Sequence, residues 1–115
     1  MTVQEFYEAI GGSYQEALSR LMNDGMITRF VQKFPKDPSF GELKTSLEAN
    51  DTETAFRQAH TLKGVCANLA LGRLTKSASE ITEMLRGGDL ESAKAYFPNV
   101  DADYAYVMDC IGKLG

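Results

Sequence analysis

The chain contains one histidine, His60, and the residues beside it at helical spacing are suited to phosphoryl chemistry. Lys63 follows three positions later and Gly64 four positions later, so in a helix both lie next to the imidazole. A neutral imidazole nitrogen is a competent nucleophile near neutral pH, because the reference pKa of histidine is about 6.5. A lysine ammonium can neutralise phosphoryl oxygens. His60 is therefore a candidate phosphoryl acceptor, with Lys63 as its charge partner.

Gly64 is an unusual residue for this position, because a glycine inside a helix costs about 1 kcal/mol relative to alanine. Its missing side chain would leave room beside His60 for a phosphoryl group and an approaching protein. Phe56 and Ala67 share the same predicted helix surface and form a small apolar patch of the kind that marks protein docking. These features predict a docking surface around His60.

A histidine buried in the core and a surface histidine without function are the two alternatives. The first is disfavoured, because the apolar residues of the segment cluster on one helix face and His60 lies about 150° from its centre. That face consists of Ala55, Ala59, Leu62, Cys66 and Leu69. The spacing alone does not exclude the second alternative, and Lys63 could equally be an ordinary solvated lysine.

A longer segment, Ala59-His-Thr-Leu-Lys-Gly-Val-Cys-Ala-Asn-Leu69, resembles the signature of the histidine phosphotransfer (HPt) domain family, whose core is His-x-x-Lys-Gly. The resemblance covers about residues 25 to 110 and includes Glu42-Leu43, Asp51, Leu74 and Arg86-Gly-Gly-Asp89. It implies a four-helix bundle in which an exposed histidine is phosphorylated at Nε2 by the aspartyl phosphate of a receiver domain. By this resemblance His60 is the phosphorylated residue, Lys63 its charge partner and Gly64 the clearance position.

The chain departs from the family pattern at two positions. Ala70 stands where the family often has glycine. Thr82 stands where the family usually has a glutamate or glutamine that orients the histidine ring, and its shorter side chain puts that hydrogen bond in question. Thr75, Ser79, Thr82 and Arg86 are expected along one polar flank that faces the His60 helix. The residues expected to contact a partner are Phe56, Arg57, Ala67, Thr82 and Arg86.

Capping and breaking residues predict an all-α fold. Thr2 to Glu5 and Ser13 to Glu16 match the capping box, and Gly11-Gly12 separates the two short helices that they begin. Prolines are expected to break or kink an arm over residues 24–49 and to interrupt a last arm at Pro98. Two further arms, over about 51–68 and 71–86, have regular apolar stripes. We predict an antiparallel up-down-up-down four-helix bundle at 24–113, with the helices of 1–22 packed against it, in one domain spanning 1–115.

Composition excludes several functions. The formal charge of -4 comes without basic clusters, which disfavours nucleic-acid binding, and no apolar run predicts a membrane span or signal peptide. Cys66 and Cys110 lie among apolar neighbours and are expected to be reduced core residues in a cytoplasmic monomer without a metal site. No phosphate-binding glycine loop is present, so ATP and Mg²⁺ chemistry would belong to partners.

The expected partners are the receiver domains of a hybrid histidine kinase and of a response regulator, and the chain is expected to be a phosphocarrier rather than an enzyme. Two other interpretations remain open. One is an HPt-like adaptor that docks receivers without carrying phosphate, for which Thr82 is the support. The other is a substrate domain cut from a chemotaxis-type histidine kinase, although Met1 favours a free-standing protein.

Overall fold

The computed structural model describes residues 1–114, and every regular element in that part of the chain is helical. Gly115, the last residue of the predicted domain, lies outside the described range. The described residues form seven α-helices and one 3₁₀ helix. Their bounds are α1 (Val3–Ile10), α2 (Tyr14–Leu21), α3 (Asp24–Lys33), the 3₁₀ helix (Phe34–Lys36), α4 (Ser39–Glu48), α5 (Thr52–Asn68), α6 (Arg73–Arg86) and α7 (Leu90–Gly112). The predicted all-α class is confirmed.

Local capping accounts for the two N-terminal helices. Thr2 Oγ1 accepts a hydrogen bond from the Glu5 backbone N–H, and the Glu5 carboxylate accepts one from the Thr2 backbone N–H, so the first capping box is complete. Gly11 ends α1 in the left-handed conformation. Ser13 caps α2 through the backbone N–H of Glu16. The Glu16 carboxylate pairs with Arg20 at 3.1 Å.

The two predicted proline interruptions have different outcomes. Between α3 and α4, Pro35 lies in the 3₁₀ helix and Pro38 is the N-cap of α4, so the arm is broken there as predicted. Pro98, by contrast, lies inside α7, which continues through it from Leu90 to Gly112. The predicted interruption at Pro98 is therefore wrong. Val100, Val107 and the other buried residues of α7 pack into the core on both sides of Pro98, and this burial offsets the roughly 3 kcal/mol that a helical proline costs.

Helices α4 to α7 pack in chain order, each against the next, and α4 also contacts α7. Helix α1 packs against α7 and α3, and α2 packs against α1 and α3. The buried side chains form one hydrophobic cluster to which every α-helix contributes. The N-terminal helices are thus joined to the same core as the helix that carries His60.

The turn between α5 and α6 contacts the N-terminal helices through a hydrogen bond and a close backbone approach. The hydroxyl of Tyr7, a fully buried residue of α1, donates a 2.7 Å hydrogen bond to the carbonyl oxygen of Leu69. The backbones also approach closely, since a Cβ on Gly12 would lie 2.4 Å from the Ala70 carbonyl oxygen. Ala70 itself has a φ of 54°, a left-handed conformation that glycine adopts more readily than alanine. This turn holds the C-terminal end of α5 in place.

Candidate functional site

Helix α5 presents His60 on its exposed side. Asp51 begins the helix by accepting a hydrogen bond from the backbone N–H of Thr54, and hydrogen bonding by Thr54 holds the pKa of the Asp51 carboxyl below its usual value. The core face predicted from the sequence is buried, because Ala55, Ala59, Leu62 and Cys66 are all 0% exposed. The side chain of His60 is exposed to solvent. A core histidine is therefore excluded.

Lys63 and Gly64 lie beside His60 as helical spacing requires. Lys63 is half-buried, and within residues 1–114 its ammonium group forms no salt bridge. A Cβ built on Gly64 would have no atom of another element within 4 Å. The glycine is thus not required by packing inside the chain. Any requirement for the missing side chain must come from a molecule outside it.

A stack of three side chains extends from His60 to the next helix. The rings of Phe56 and His60 have centroids 6.0 Å apart and planes inclined by 18°. The guanidinium carbon of Arg86 lies 5.0 Å from the centroid of the same Phe56 ring. Arg86 Nε donates to both carboxylate oxygens of Glu83, at 3.1 and 3.2 Å. Phe56 on α5 therefore interacts with both the imidazole of His60 on the same helix and the guanidinium of Arg86 on α6.

Thr82 corrects one prediction from the sequence. The residue is 0% exposed, and its hydroxyl donates a 2.6 Å hydrogen bond to the Ala78 carbonyl oxygen one turn earlier in α6. The assignment of Thr82 to the partner surface is wrong, because α6 turns this residue into the core with Ala78, Ile81 and Leu85. Within residues 1–114, the ring nitrogens of His60 have no hydrogen-bond partner.

The other predicted contact residues occupy different surroundings. Arg57 is exposed and pairs with Glu53 at 3.1 Å within α5. Ala67 is half-buried and lines an open cavity of about 360 Å³. The same cavity is lined by Ser13 of the α1–α2 connection and by Glu16 of α2. This juxtaposition could not be predicted from the sequence, since nothing in the spacing places residues 11–16 beside α5.

The polar flank expected on α6 is only partly present. Thr75 is half-buried and lines the same cavity as Ala67, and its hydroxyl oxygen is buried without a hydrogen-bond partner among the described residues. Ser79 is half-buried, while Arg86 is exposed. With Thr82 in the core, Arg86 is the member of this flank that reaches the His60 neighbourhood, through Phe56.

The chemistry of the remaining groups limits what the site can do. Within residues 1–114, no three histidine, cysteine or carboxylate side chains are grouped to hold a metal ion. Cys66 and Cys110 are free and buried, and burial raises the pKa of the Cys66 thiol. In the same part of the chain, no helix is long and apolar enough to cross a bilayer. The site as built offers a nucleophilic imidazole, a nearby ammonium group and open space.

Comparison with known proteins bears on this site. Residues 25–109 match the family model of the Hpt domain. The matched region contains His60, Lys63, Gly64 and the Phe56–Arg86 contact, whereas α1 and α2 precede it. No curated protein and no solved structure matched the chain significantly.

Proposed function

This chain belongs to the Hpt domain family, and we propose that it is the histidine phosphocarrier of a multistep phosphorelay. His60 accepts a phosphoryl group at Nε2 from the phosphoaspartate of one receiver domain and passes it to the aspartate of another. The observation that carries this proposal is the exposed imidazole of His60 beside Gly64, where a Cβ would meet open space. Members of this family act as phosphocarrier modules rather than as catalytic enzymes.

The transfer step needs little from the chain beyond position and charge. The Nε2 lone pair of the neutral imidazole attacks phosphorus in line with the aspartyl oxygen, the new P–N bond forms, and the receiver's carboxylate leaves. The proton on Nδ1 stays, so the product is a phosphoimidazolium whose P–N bond the next aspartate can cleave. The Lys63 ammonium neutralises the phosphoryl oxygens during the transfer. We assign the Mg²⁺ ion to the receiver domain, which also supplies the carboxylates that bind it.

The docking surface that we propose extends along α5. Phe56 and Ala67 supply apolar contacts on either side of His60, and Arg57 and Arg86 provide positive charge for the acidic active site of a receiver. Beyond Ala67, the partner would reach the cavity wall formed by α2. Thr82 has no part in this surface, because it is buried.

The proposed function is accompanied by a proposed helix topology, oligomeric state and cellular location. We propose that the arm over residues 24–49, α5, α6 and α7 form the four members of an up-down-up-down bundle, supported by the packing of α4 to α7 in chain order and by the α4–α7 contact. A closed core of this kind favours a monomer. We expect the protein to act in the cytoplasm, with receivers of a hybrid kinase and of a response regulator as its partners.

The experiment is phosphoryl transfer from a purified receiver domain carrying radioactive phosphate. The unmodified chain is compared with His60→Gln, after circular dichroism has shown that both are helical to the same extent. We expect label on the unmodified chain alone, lost in acid and retained in alkali, as a phosphoramidate requires. Equal labelling of His60→Gln would refute the assignment. A folded chain that binds receivers but takes no label would instead be an adaptor.

A further inference from the structure

We propose that Phe56 is a positioning residue for His60 and that Arg86 holds Phe56 in place, an inference that rests on the proposed function. In this arrangement the aromatic ring of Phe56 sets the orientation of the imidazole by stacking. No side-chain hydrogen bond to the imidazole is needed for this purpose. The residues were expected from sequence to be docking contacts. Their geometry gives them a second role inside the chain.

The rings of Phe56 and His60 interact directly. Phe56 precedes His60 by one helical turn, and the 6.0 Å centroid distance with an 18° inclination is an offset parallel arrangement within the usual range for interacting aromatic rings. Phe56 is half-buried and His60 is exposed. The more buried ring of Phe56 therefore restricts the rotations open to the exposed ring of His60.

Phe56 is in turn held in place by a side chain of the neighbouring helix, α6. The Arg86 guanidinium covers the ring face at 5.0 Å from its centroid, a distance at which a cation is attracted to the aromatic quadrupole. Glu83 fixes the guanidinium through two hydrogen bonds. Since Glu83 and Arg86 belong to α6, the stack joins the orientation of His60 to the packing of α5 against α6.

Among residues 1–114, no side-chain hydrogen bond fixes the orientation of the His60 ring. Thr82, which from the sequence was a candidate for orienting the ring, donates its hydroxyl to the Ala78 carbonyl oxygen and is buried. An imidazole held only by its own χ angles would sample several rotamers, and in-line transfer requires one of them. Stacking selects a ring plane without occupying Nδ1 or Nε2, so both nitrogens stay available for a proton and for phosphorus.

The proposal distinguishes positioning from docking through the kinetics of transfer. Phe56→Leu keeps an apolar side chain for docking but removes the aromatic face, whereas Phe56→Tyr keeps that face. With a phosphorylated receiver as donor, we expect Phe56→Leu to lower the transfer rate at saturating receiver by roughly threefold to tenfold. The receiver concentration at half-maximal rate should change little, and Phe56→Tyr should restore the rate. Arg86→Met should lower the rate in the same direction by a smaller factor.

A spectroscopic readout and a matched control complete the test. The ring protons of His60 should show a nuclear Overhauser effect to those of residue 56 in the unmodified chain and in Phe56→Tyr. The control is Tyr106→Leu, which removes an exposed ring of α7 that also carries a guanidinium, that of Arg73, at 5.0 Å. It should leave the transfer rate unchanged.

The outcomes separate this inference from the proposed function. An unmodified chain that takes no label contradicts the phosphocarrier function, while the Overhauser effect still tests the stack. A labelled chain whose Phe56→Leu variant changes only the half-saturating concentration shows that Phe56 is a docking contact and overturns the positioning role. An unchanged rate and an unchanged half-saturating concentration overturn it as well.

Discussion

Replacing Gly64 by alanine should stabilise the protein and impair phosphoryl transfer at the same time. The added Cβ meets no atom of another element within 4 Å, so the native state gains no steric strain. Alanine is favoured over glycine inside a helix by about 0.8–1.0 kcal/mol. The free energy of unfolding should therefore rise by nearly 1 kcal/mol, which corresponds to an increase in Tm of about 4 °C for a domain of this size. Urea and thermal unfolding followed by circular dichroism measure both quantities.

The functional loss has a different origin, because the added methyl group projects into the space that the proposed partner enters. Forcing an extra carbon into a packed contact costs about 1–3 kcal/mol, which corresponds to roughly a 5-fold to 150-fold decrease in transfer rate. The assay is transfer of label from a phosphorylated receiver, measured in single turnover. A small donor such as phosphoramidate needs less room, so its reaction with His60 should be slowed much less.

Gly41→Ala is the matched control for this experiment. Gly41 also lies in a helix, α4, and a Cβ built there likewise has no neighbour within 4 Å. The control should stabilise the fold without slowing transfer. If Gly64→Ala transferred phosphate as fast as the unmodified chain, the clearance role of Gly64 would be refuted. If Gly64→Ala were less stable than the unmodified chain, the inference that a Cβ at position 64 meets no neighbouring atom would be refuted.

Three further predictions concern charge, a buried hydrogen bond and pH. Lys63→Met should slow transfer by about tenfold at low salt, with unchanged helicity, because a charge-assisted contact to the phosphoryl oxygens is lost; an unchanged rate would show that Lys63 is an ordinary solvated lysine. Tyr7→Phe leaves the Leu69 carbonyl oxygen without its hydrogen bond, so urea unfolding should show a loss of about 1–3 kcal/mol, and no loss would mean that water replaces the hydroxyl. Burial raises the pKa of the Cys66 thiol above its ordinary value of 9.0, so the native state keeps the thiol protonated where the unfolded chain ionises. The contribution of this thiol to the free energy of unfolding is present below about pH 9 and decreases above it. The free energy of unfolding of Cys66→Ala should therefore fall less between about pH 8 and pH 10 than that of the unmodified chain.

Much of the helical structure could be read from local residues. Capping by Thr2, Ser13 and Asp51 depends on contacts within one helical turn, so the sequence alone predicts where those helices begin. Pro35 and Pro38 broke the chain where expected. Pro98 did not, because the local cost of a helical proline is opposed by the burial of residues on both sides of it, and burial depends on the other helices.

The site was predictable to the extent that it lies on one helix. The exposure of His60 follows from the 100° step between successive residues, and the nearness of Lys63 and Gly64 follows from the same geometry. Which residues of α6 lie on the surface near His60 was harder to predict from the sequence. Thr82 was placed on the partner surface because its spacing put it on a polar flank with Thr75, Ser79 and Arg86, whereas hydrogen bonding to Ala78 lets its hydroxyl enter the core.

The sequence by itself determined where several helices begin and that His60 is exposed beside Lys63 and Gly64, because these features depend on contacts between residues at most a few positions apart. Only the tertiary structure decided that Arg86 of α6 reaches the ring of Phe56, and that the α1–α2 connection lines a cavity beside Ala67. Those contacts join residues far apart along the chain. Their geometry depends on how the helices pack around a shared core, and packing is a property of the whole chain that no local pattern encodes.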